Sequence, residues 1–174
     1  TIPSSVTSIS DYAFYGCSSL ESITIPDSVT HIGTRSFDSC SGITSVYITD
    51  ISAWCSISGL RNLMDYGSSS KQLYLNNELV TELVIPDSVT YIGEGAFRNC
   101  SSLTSITIPC SLTSIGWNAF KNCKNLTSVI FNDPNSWCVM NTMLDETRID
   151  LTNAIQNATY LTDTYSDYYW YRTN

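Results

Sequence analysis

The amino-acid sequence predicts a repeat solenoid, in which successive coils of the chain stack around a shared core. The first observation is a repeated phrase: residues 5–26 read SVTSISDYAFYGCSSLESITIP, and residues 88–109 read SVTYIGEGAFRNCSSLTSITIP. The second is a 23-residue step between apolar residues of the same type. The third is that the letters that change between copies are mostly polar. A fixed apolar skeleton of this kind indicates units that bury their hydrophobic faces against their neighbours.

The 23-residue step divides the chain into units. It leads from Phe14 to Phe37 and from Phe97 to Phe120, while the 37 residues between Ile48 and Ile85 amount to one period plus a 14-residue insertion. The predicted parts of a single domain over 1–174 are a partial unit at 1–19, units at 20–42, 43–79, 80–102, 103–125 and 126–133, and a cap at 134–174. Because the first unit is incomplete, we expect the chain to be a piece of a larger protein.

Each unit predicts one strand followed by a turn. The pattern L-x-x-I-x-I over residues 103–108 ends in the alternation of a β-strand, and Pro109 ends the strand because it lacks an N–H. Gly116 is expected to permit a tight bend, and residues 119–123 to form a short helical turn. Equivalent strands, about 4.8 Å apart, should then form a parallel sheet.

The insertion predicts a hairpin. Asn76-Asn77 lies between two apolar-polar alternations, which favours a two-residue type I′ turn that pairs Gln72–Leu75 with Glu78–Thr81. The preceding letters MDYGSSSK, residues 64–71, predict a polar loop. A second echo links the insertion to the end of the chain: TDISAWC at 49–55 recurs as NDPNSWC at 132–138.

The last forty residues predict a cap over the final coil. Apolar residues recur there at helical spacing, which predicts an amphipathic helix with Asp150 as its N-cap. These apolar residues are Leu151, Ile155, Ala158 and Leu161. The chain then ends in aromatic letters, and the exposed face of a terminal coil needs such a cover.

The units LTSITIPCSLTSIGWNAFKNCKN and LESITIPDSVTHIGTRSFDSCSG resemble the BspA-like leucine-rich repeats of bacterial and protist surface proteins. The resemblance covers residues 1–131, although cysteines replace the buried asparagine of the classical consensus. It implies a leucine-rich-repeat horseshoe, with a parallel β-sheet on the concave face and short helical or 3-10 turns on the convex side. It also implies an exported protein, extracellular or on the cell surface, that binds other molecules without catalysis.

Composition and motifs argue against several functions. The net charge is −8 and the eight lysines and arginines are scattered, which argues against nucleic-acid binding. No apolar run approaches the length of a membrane span, and no zinc signature or glycine-rich phosphate loop is present. The only histidine, His31, falls in a column of surface residues with Ser8, Tyr91 and Ser114. We therefore predict no enzyme activity, no catalytic residues, no metal and no cofactor.

The positions of the seven cysteines favour a role in core packing over disulfide formation. Four occupy the turn position of the repeat, two follow the tryptophans of the second echo, and Cys110 lies at an exposed turn. Stacked cysteines come within disulfide distance, but parallel side chains on a ladder do not present the required geometry. Reduced, buried thiols are therefore favoured over disulfides.

Two outward-facing columns of the sheet form the predicted binding surface. The first is Ser22, Ser45, Glu82, Ser105 and Ser128, and the second is Thr24, Tyr47, Val84, Thr107 and Ile130. Apolar anchors among small hydroxyls suit a protein or glycoprotein ligand, and thus adhesion or protein–protein interaction. The preference of strands for β-branched and aromatic residues explains the same letters without any ligand.

Two other functions stay open from the sequence. The terminal aromatic residues could stack on sugars, although covering the last coil explains them as well; they are Tyr165, Tyr168, Tyr169, Trp170 and Tyr171. Alternatively, the solenoid is a structural spacer in a multimodular secreted protein.

Overall fold

A computed structural model describes residues 2–66 and 70–173 and shows a β-solenoid of about five turns. The strands are β1 Ser8–Ile9, β2 Ser22–Thr24, β3 His31–Ile32, β4 Ser45–Ile48, β5 Gln72–Leu75, β6 Glu78–Leu79, β7 Glu82–Val84, β8 Tyr91–Ile92, β9 Ser105–Ile108, β10 Ser114–Ile115, β11 Ser128–Phe131, β12 Trp137–Met140, β13 Glu146–Arg148 and β14 Tyr169–Arg172. The helices are α1 Ile51–Ser56, α2 Arg61–Met64 and α3 Ala154–Thr159, and a π-helical turn follows at Tyr160–Thr164.

The predicted parallel sheet is confirmed, but it is divided in two. One part has the order β2-β4-β5-β6 and the other the order β7-β9-β11. Residues one unit apart are register partners: Ile23 pairs with Val46, and Ile106 pairs with Val129. These partners are buried, so the core is made of columns of like side chains.

The phenylalanine rings confirm that equivalent residues lie one above another. The rings of Phe14 and Phe37 are 4.9 Å apart and nearly parallel, and those of Phe97 and Phe120 are 5.2 Å apart. Of the four cysteines at the turn position, Cys40, Cys100 and Cys123 are buried as expected, whereas Cys17 is exposed; all seven cysteines of the chain are free thiols. The buried thiol of Cys123 donates a hydrogen bond to the Phe97 carbonyl of the coil before it.

A second ladder of two-residue strands runs along the solenoid and was not predicted. Strands β1 and β3 pair in parallel, as do β8 and β10, and Ser58 of the insertion bridges to His31. Threonines beside this ladder bond from coil to coil: the Thr113 hydroxyl donates to the Thr90 carbonyl at 2.8 Å. Some of the polar letters in the repeat therefore hold neighbouring coils together.

The predicted short turns follow this ladder, and they need left-handed backbone at two positions in each unit. The first column with positive φ is Tyr12, Arg35, Gly95 and Asn118, and the second is Gly16, Ser39, Asn99 and Asn122. The chain turns directly after Gly116, as predicted, but Gly116 is not among the residues with positive φ, so the turn does not depend on the backbone freedom of this glycine. A Cβ at Gly116 would instead lie 2.7 Å from the Glu94 backbone nitrogen, so this glycine permits close contact between coils.

The insertion forms a helix and the predicted hairpin. Helix α1 is capped by Asp50, whose carboxylate accepts a hydrogen bond from the Ala53 N–H. Both Asn76 and Asn77 have positive φ, as a type I′ turn requires. The second hairpin strand ends at Leu79, two residues earlier than predicted, because the chain bends at Thr81 before β7 begins. The middle of the predicted polar loop, residues 67–69, lies outside the described residues.

The C-terminal cap is only partly helical, and its predicted N-cap is wrong. Helix α3 begins at Ala154, since the Asn153 side chain accepts the hydrogen bonds of two N–H groups in the first turn. The Asp150 carboxylate instead accepts a hydrogen bond from the N–H of Thr152, two residues before the helix begins. Ile155 was expected to face the core but is 73% exposed, whereas Leu151, Ala158 and Leu161 are buried.

Strands complete the cap, and these too were not predicted. Strand β14 pairs antiparallel with β10 of the second ladder, and β12 and β13 continue the sheet beyond it. Helix α3 covers the edge of β11, where the buried Asn157 side chain donates to the Val129 carbonyl at 2.9 Å. An edge strand covered in this way cannot pair with another chain.

Candidate ligand-binding surface

The ten predicted surface residues all lie on the outer face of the divided sheet. Their neighbours in sequence, such as Ile23 and Leu83, fill the core, so strict alternation directs the predicted side chains outward. Each of the ten is exposed or half-buried. The structure does not bring them into two unbroken columns, however, because the insertion enters between Ser45 and Glu82 and between Tyr47 and Val84.

The insertion supplies residues of this face that the sequence analysis missed. Strand β5 pairs with β4, so Gln72 follows Ser45 and Tyr74 follows Tyr47 in the outward columns. The rings of Tyr47 and Tyr74 stack with their centroids 4.6 Å apart, and the Tyr74 hydroxyl donates to the Gln72 side chain. The alternation Q-L-Y-L matches the strands of the repeat, and aligning it with S-V-Y-I would have revealed this extra strand.

Apolar side chains continue across the face from this tyrosine pair. Leu79 is the register partner of Tyr74 and is 41% exposed. Beyond the break in the sheet, Val84 is 67% exposed, and Ile130 on the last strand is 51% exposed. We call Tyr47, Tyr74, Leu79, Val84 and Ile130 the apolar stripe; Thr107 interrupts it. Single exposed apolar residues are common on protein surfaces, but apolar residues grouped on one face are typical of contact sites.

A cleft lies where the two parts of the sheet separate. It has a volume of about 370 Å³ and is bordered by the hairpin on one side and by Thr81 and β7 on the other. Leu79 and Val84 of the apolar stripe both line it, and so do Glu78 and Glu82. The cleft therefore marks the point at which the insertion interrupts the outward face.

The terminal aromatic residues mainly pack against the solenoid. The Trp170 side chain is 1% exposed, its ring lies parallel to that of Phe131, and its indole N–H donates to the Tyr165 carbonyl. Tyr165 and Tyr168 are half-buried against the core. Trp170 thus lies over the last coil, as the covering alternative expects, and its ring is not exposed to a sugar.

Tyr169 and Tyr171 are half-buried on strand β14, and their rings stack 6.2 Å apart. The pKa of Tyr171 is raised to about 12, mainly by its hydrogen bond to Glu146 and to a smaller extent by burial. The same bond lowers the pKa of the Glu146 carboxyl. These tyrosines therefore help to hold β13 to the cap.

Three of the buried thiols have raised pKa values, the opposite of what activates a cysteine nucleophile. Burial raises the pKa of Cys55 and of Cys100 to about 12, and raises the pKa of Cys123 well above its usual value. A reactive cysteine requires a lowered pKa. His31 is exposed and bonds the Ser58 hydroxyl at 2.9 Å. Within residues 2–66 and 70–173, no three His, Cys, Asp or Glu side chains converge as metal ligands would.

No helix in the described part of the chain has the length and apolar character needed to span a bilayer.

Comparison with protein families gives one match. The model of the BspA type leucine rich repeat region matches six copies, over residues 1–58 and 68–163. These ranges leave out residues 59–67 and 164–174. A comparison with curated proteins gives no match.

The chain is also similar to solved structures of leucine-rich repeat proteins. A leucine-rich repeat protein from Bacteroides ovatus is 29% identical with a TM-score of 0.44, over 76% of this chain and 37% of that chain. A leucine rich cell surface protein from Faecalibacterium prausnitzii is 23% identical with a TM-score of 0.39, over 81% of this chain and 48% of that chain. The T. pallidum leucine rich repeat protein is 24% identical with a TM-score of 0.38, over 77% and 69%. The chain thus spans less than half the length of the first two.

Proposed function

The chain belongs to the BspA-type leucine-rich repeat family, and from this premise we propose that it is a non-catalytic module that binds protein ligands through the outer face of its sheet. The partner is a protein or glycoprotein outside the cell, and the module belongs to an extracellular or cell-surface protein with an adhesive role. The location and the adhesive role follow from what the family resemblance implies.

The apolar stripe is the observation on which this proposal depends. The stacked Tyr47 and Tyr74 rings are held in place on two adjacent strands, so little side-chain entropy is lost when a partner covers them. Val84 and Ile130 add exposed apolar surface on the far side of the break. Aromatic anchors on a rigid sheet, surrounded by small polar residues, are typical of the energetic centre of a protein interface.

The composition of the outward columns supports a non-catalytic role. Acid–base or nucleophilic catalysis requires a general base within hydrogen-bonding reach of the reacting group. The outward columns offer mainly hydroxyl groups, with the Glu82 carboxylate and the Gln72 amide among them. Binding is the activity that such a surface can perform.

The carbohydrate alternative has less support. Sugar binding by stacking needs an accessible ring face, and Trp170 is buried under the cap. The spacer alternative predicts that replacing residues of the apolar stripe changes no binding, and the following experiment therefore distinguishes it from our proposal.

Selection from a displayed library of small folded domains tests the proposed function. Domains enriched on the wild-type chain should bind a variant with Tyr47→Ser and Tyr74→Ser about tenfold or more weakly, because loss of an aromatic anchor removes at least 1–2 kcal/mol. The matched control is His31→Ser, an exposed substitution on the other ladder, which should leave binding unchanged. Equal binding to all three proteins would contradict the proposal.

A further inference from the structure

The insertion leaves strand β7 at the edge of its sheet, in the middle of the molecule. Among residues 2–66 and 70–173, its only neighbour in the sheet is β9, whereas β4 and β9 each have a strand on both sides. In β4 and β9, the corresponding edge pairs with the strand of the preceding unit, whereas in β7 this edge faces the cleft. An edge strand with open main-chain groups is a template for pairing with another chain.

The ladder register identifies which main-chain groups of β7 face the cleft. The Thr81 carbonyl accepts from the Ser105 N–H, and the Ile85 N–H donates to the Thr107 carbonyl, so residues 81, 83 and 85 bond towards β9. Since main-chain groups alternate sides along a strand, the N–H and C=O groups of Glu82 and Val84 point away from β9. Four main-chain groups are thus directed to the open side.

The walls of the cleft suit an extended peptide. The cleft volume of about 370 Å³ accommodates a short segment rather than a folded surface. Leu79 and Val84 provide apolar contacts for alternate side chains, and the exposed Glu78 and Glu82 add two negative charges. Because the described lining contains two glutamates and no lysine or arginine, the complementary peptide carries positive charge.

We propose that β7 binds an extended segment of a partner protein by strand addition, with apolar residues of the segment facing Leu79 and Val84 and a lysine or arginine facing Glu78 and Glu82. This inference rests on the proposed function, because it specifies how the outer face recognises its protein ligand. Main-chain hydrogen bonds from Glu82 and Val84 provide affinity, and the cleft walls provide selectivity.

Short random peptides displayed on phage provide the probe, selected on the wild-type chain and then synthesised. The main variant is Val84→Pro, which removes the outward N–H but leaves the bonds of residues 81, 83 and 85 to β9 in place; proline is tolerated on an edge strand. The matched control is Val84→Ala, which keeps the N–H and loses a similar amount of side chain.

We expect the enriched peptides to contain lysine or arginine among alternating apolar residues. They should bind Val84→Pro about three- to tenfold more weakly than Val84→Ala, as expected for the loss of one hydrogen bond. N-methylation of alternate peptide residues should weaken binding to the wild type in the same range, and Glu78→Gln with Glu82→Gln should reduce the salt dependence of binding. Far-UV circular dichroism checks that Val84→Pro remains folded, and the N-methylated peptides test the inference without any variant.

Three results would overturn strand addition. They are peptides that bind Val84→Pro as well as Val84→Ala, peptides that tolerate N-methylation at every position, and selection that enriches no peptide on the wild type above the Val84→Pro variant. If binding then still depends on Tyr47 and Tyr74, the proposed function stands and only the mode of recognition is wrong.

Discussion

Residues 49–55, TDISAWC, and residues 132–138, NDPNSWC, use similar letters after equivalent strands, yet they fold differently. The first segment forms helix α1 with Asp50 as its N-cap. The second forms a turn and then strand β12, and Ser136 has a φ of 62°, which is incompatible with a continuing helix. In both segments the tryptophan is buried, with 1% of its side chain exposed.

The two tryptophans differ in what lies above them. The Trp54 indole N–H donates to the Ala96 carbonyl in the following coil, 42 residues away, at 2.9 Å. The Trp137 indole N–H instead donates to the Asp133 carbonyl of its own segment at 3.2 Å, and β12 pairs with β14, which folds back over the last coil. Two similar sequence segments therefore occur both between coils and at the end of the solenoid, and the part of the chain that packs over each tryptophan determines which structure forms.

Removing the first tryptophan should give the largest effect. Trp54→Ala should lower the free energy of unfolding by about 3–5 kcal/mol, because it leaves a cavity between two coils and leaves the buried Ala96 carbonyl without its donor. Urea denaturation measures this loss. Trp54→Phe retains most of the ring and should cost clearly less, and a loss below about 1 kcal/mol for Trp54→Ala would contradict the packing role.

The insertion contains a buried lysine, Lys71, that should make the free energy of unfolding depend on pH. Burial is the main cause that lowers the pKa of Lys71 from 10.5 to about 8. Between pH 8 and 10.5 the unfolded chain therefore binds more protons than the folded chain, and this group makes stability rise with pH. The total is about 3 kcal/mol if the pKa difference is fully expressed.

The Lys71→Met variant isolates this contribution. Buried thiols such as Cys100 have raised pKa values, so their contribution to stability falls as pH rises above 9. The difference in unfolding free energy between wild type and Lys71→Met largely removes that common background, and it should increase from pH 8 to 10 in favour of the wild type. A difference that stays constant with pH would contradict the lowered pKa of Lys71.

Loosening the cap tests the other side of the comparison. Asn157→Leu removes the donor that bonds the Val129 and Leu151 carbonyls, both at 2.9 Å. We expect a loss of about 1–3 kcal/mol in urea denaturation, since two buried acceptors lose a partner. The neighbouring Gln156 is exposed on the same helix, and Gln156→Leu should change stability by less than about 0.5 kcal/mol. Equal effects of the two substitutions would contradict the capping role of Asn157.

The N-cap of α1 should give the smallest effect. Asp50→Ala removes the carboxylate that accepts from the Ala53 N–H at 2.7 Å and should cost about 1 kcal/mol. Asp87→Ala, at an exposed turn of the next unit, serves as the control in the same denaturation experiment. A loss as small as that of the control would show that packing of Trp54 alone fixes α1.

The repeating part of the fold could be predicted because its signal recurs. A single alternation such as S-I-T-I does not by itself identify a strand. Apolar residues at the equivalent position of each unit determine both the strand and its register; four of them are Ile23, Val46, Ile106 and Val129. The hairpin at Asn76-Asn77 was predictable for another reason, since few residue types accept two successive positive φ angles.

The candidate surface was predicted in part. The outward direction of Tyr47 and Val84 follows from alternation alone. The contribution of Tyr74 and Leu79 does not, because the insertion matches the repeat only weakly and its strand had to be placed by pairing with β4. The cleft beside β7 could not be predicted either. It exists because β7 does not pair with the preceding strand, and no local sequence pattern indicates which strands pair.

The amino-acid sequence by itself determined the period, the composition of the core columns and the direction of the side chains on the repeat strands, since every unit repeats the same local pattern. The tertiary structure alone decided where the sheet divides, which asparagine begins α3 and how Trp54 and Trp137 are covered. These features depend on contacts between residues far apart in sequence, and such contacts form only when the coils have stacked.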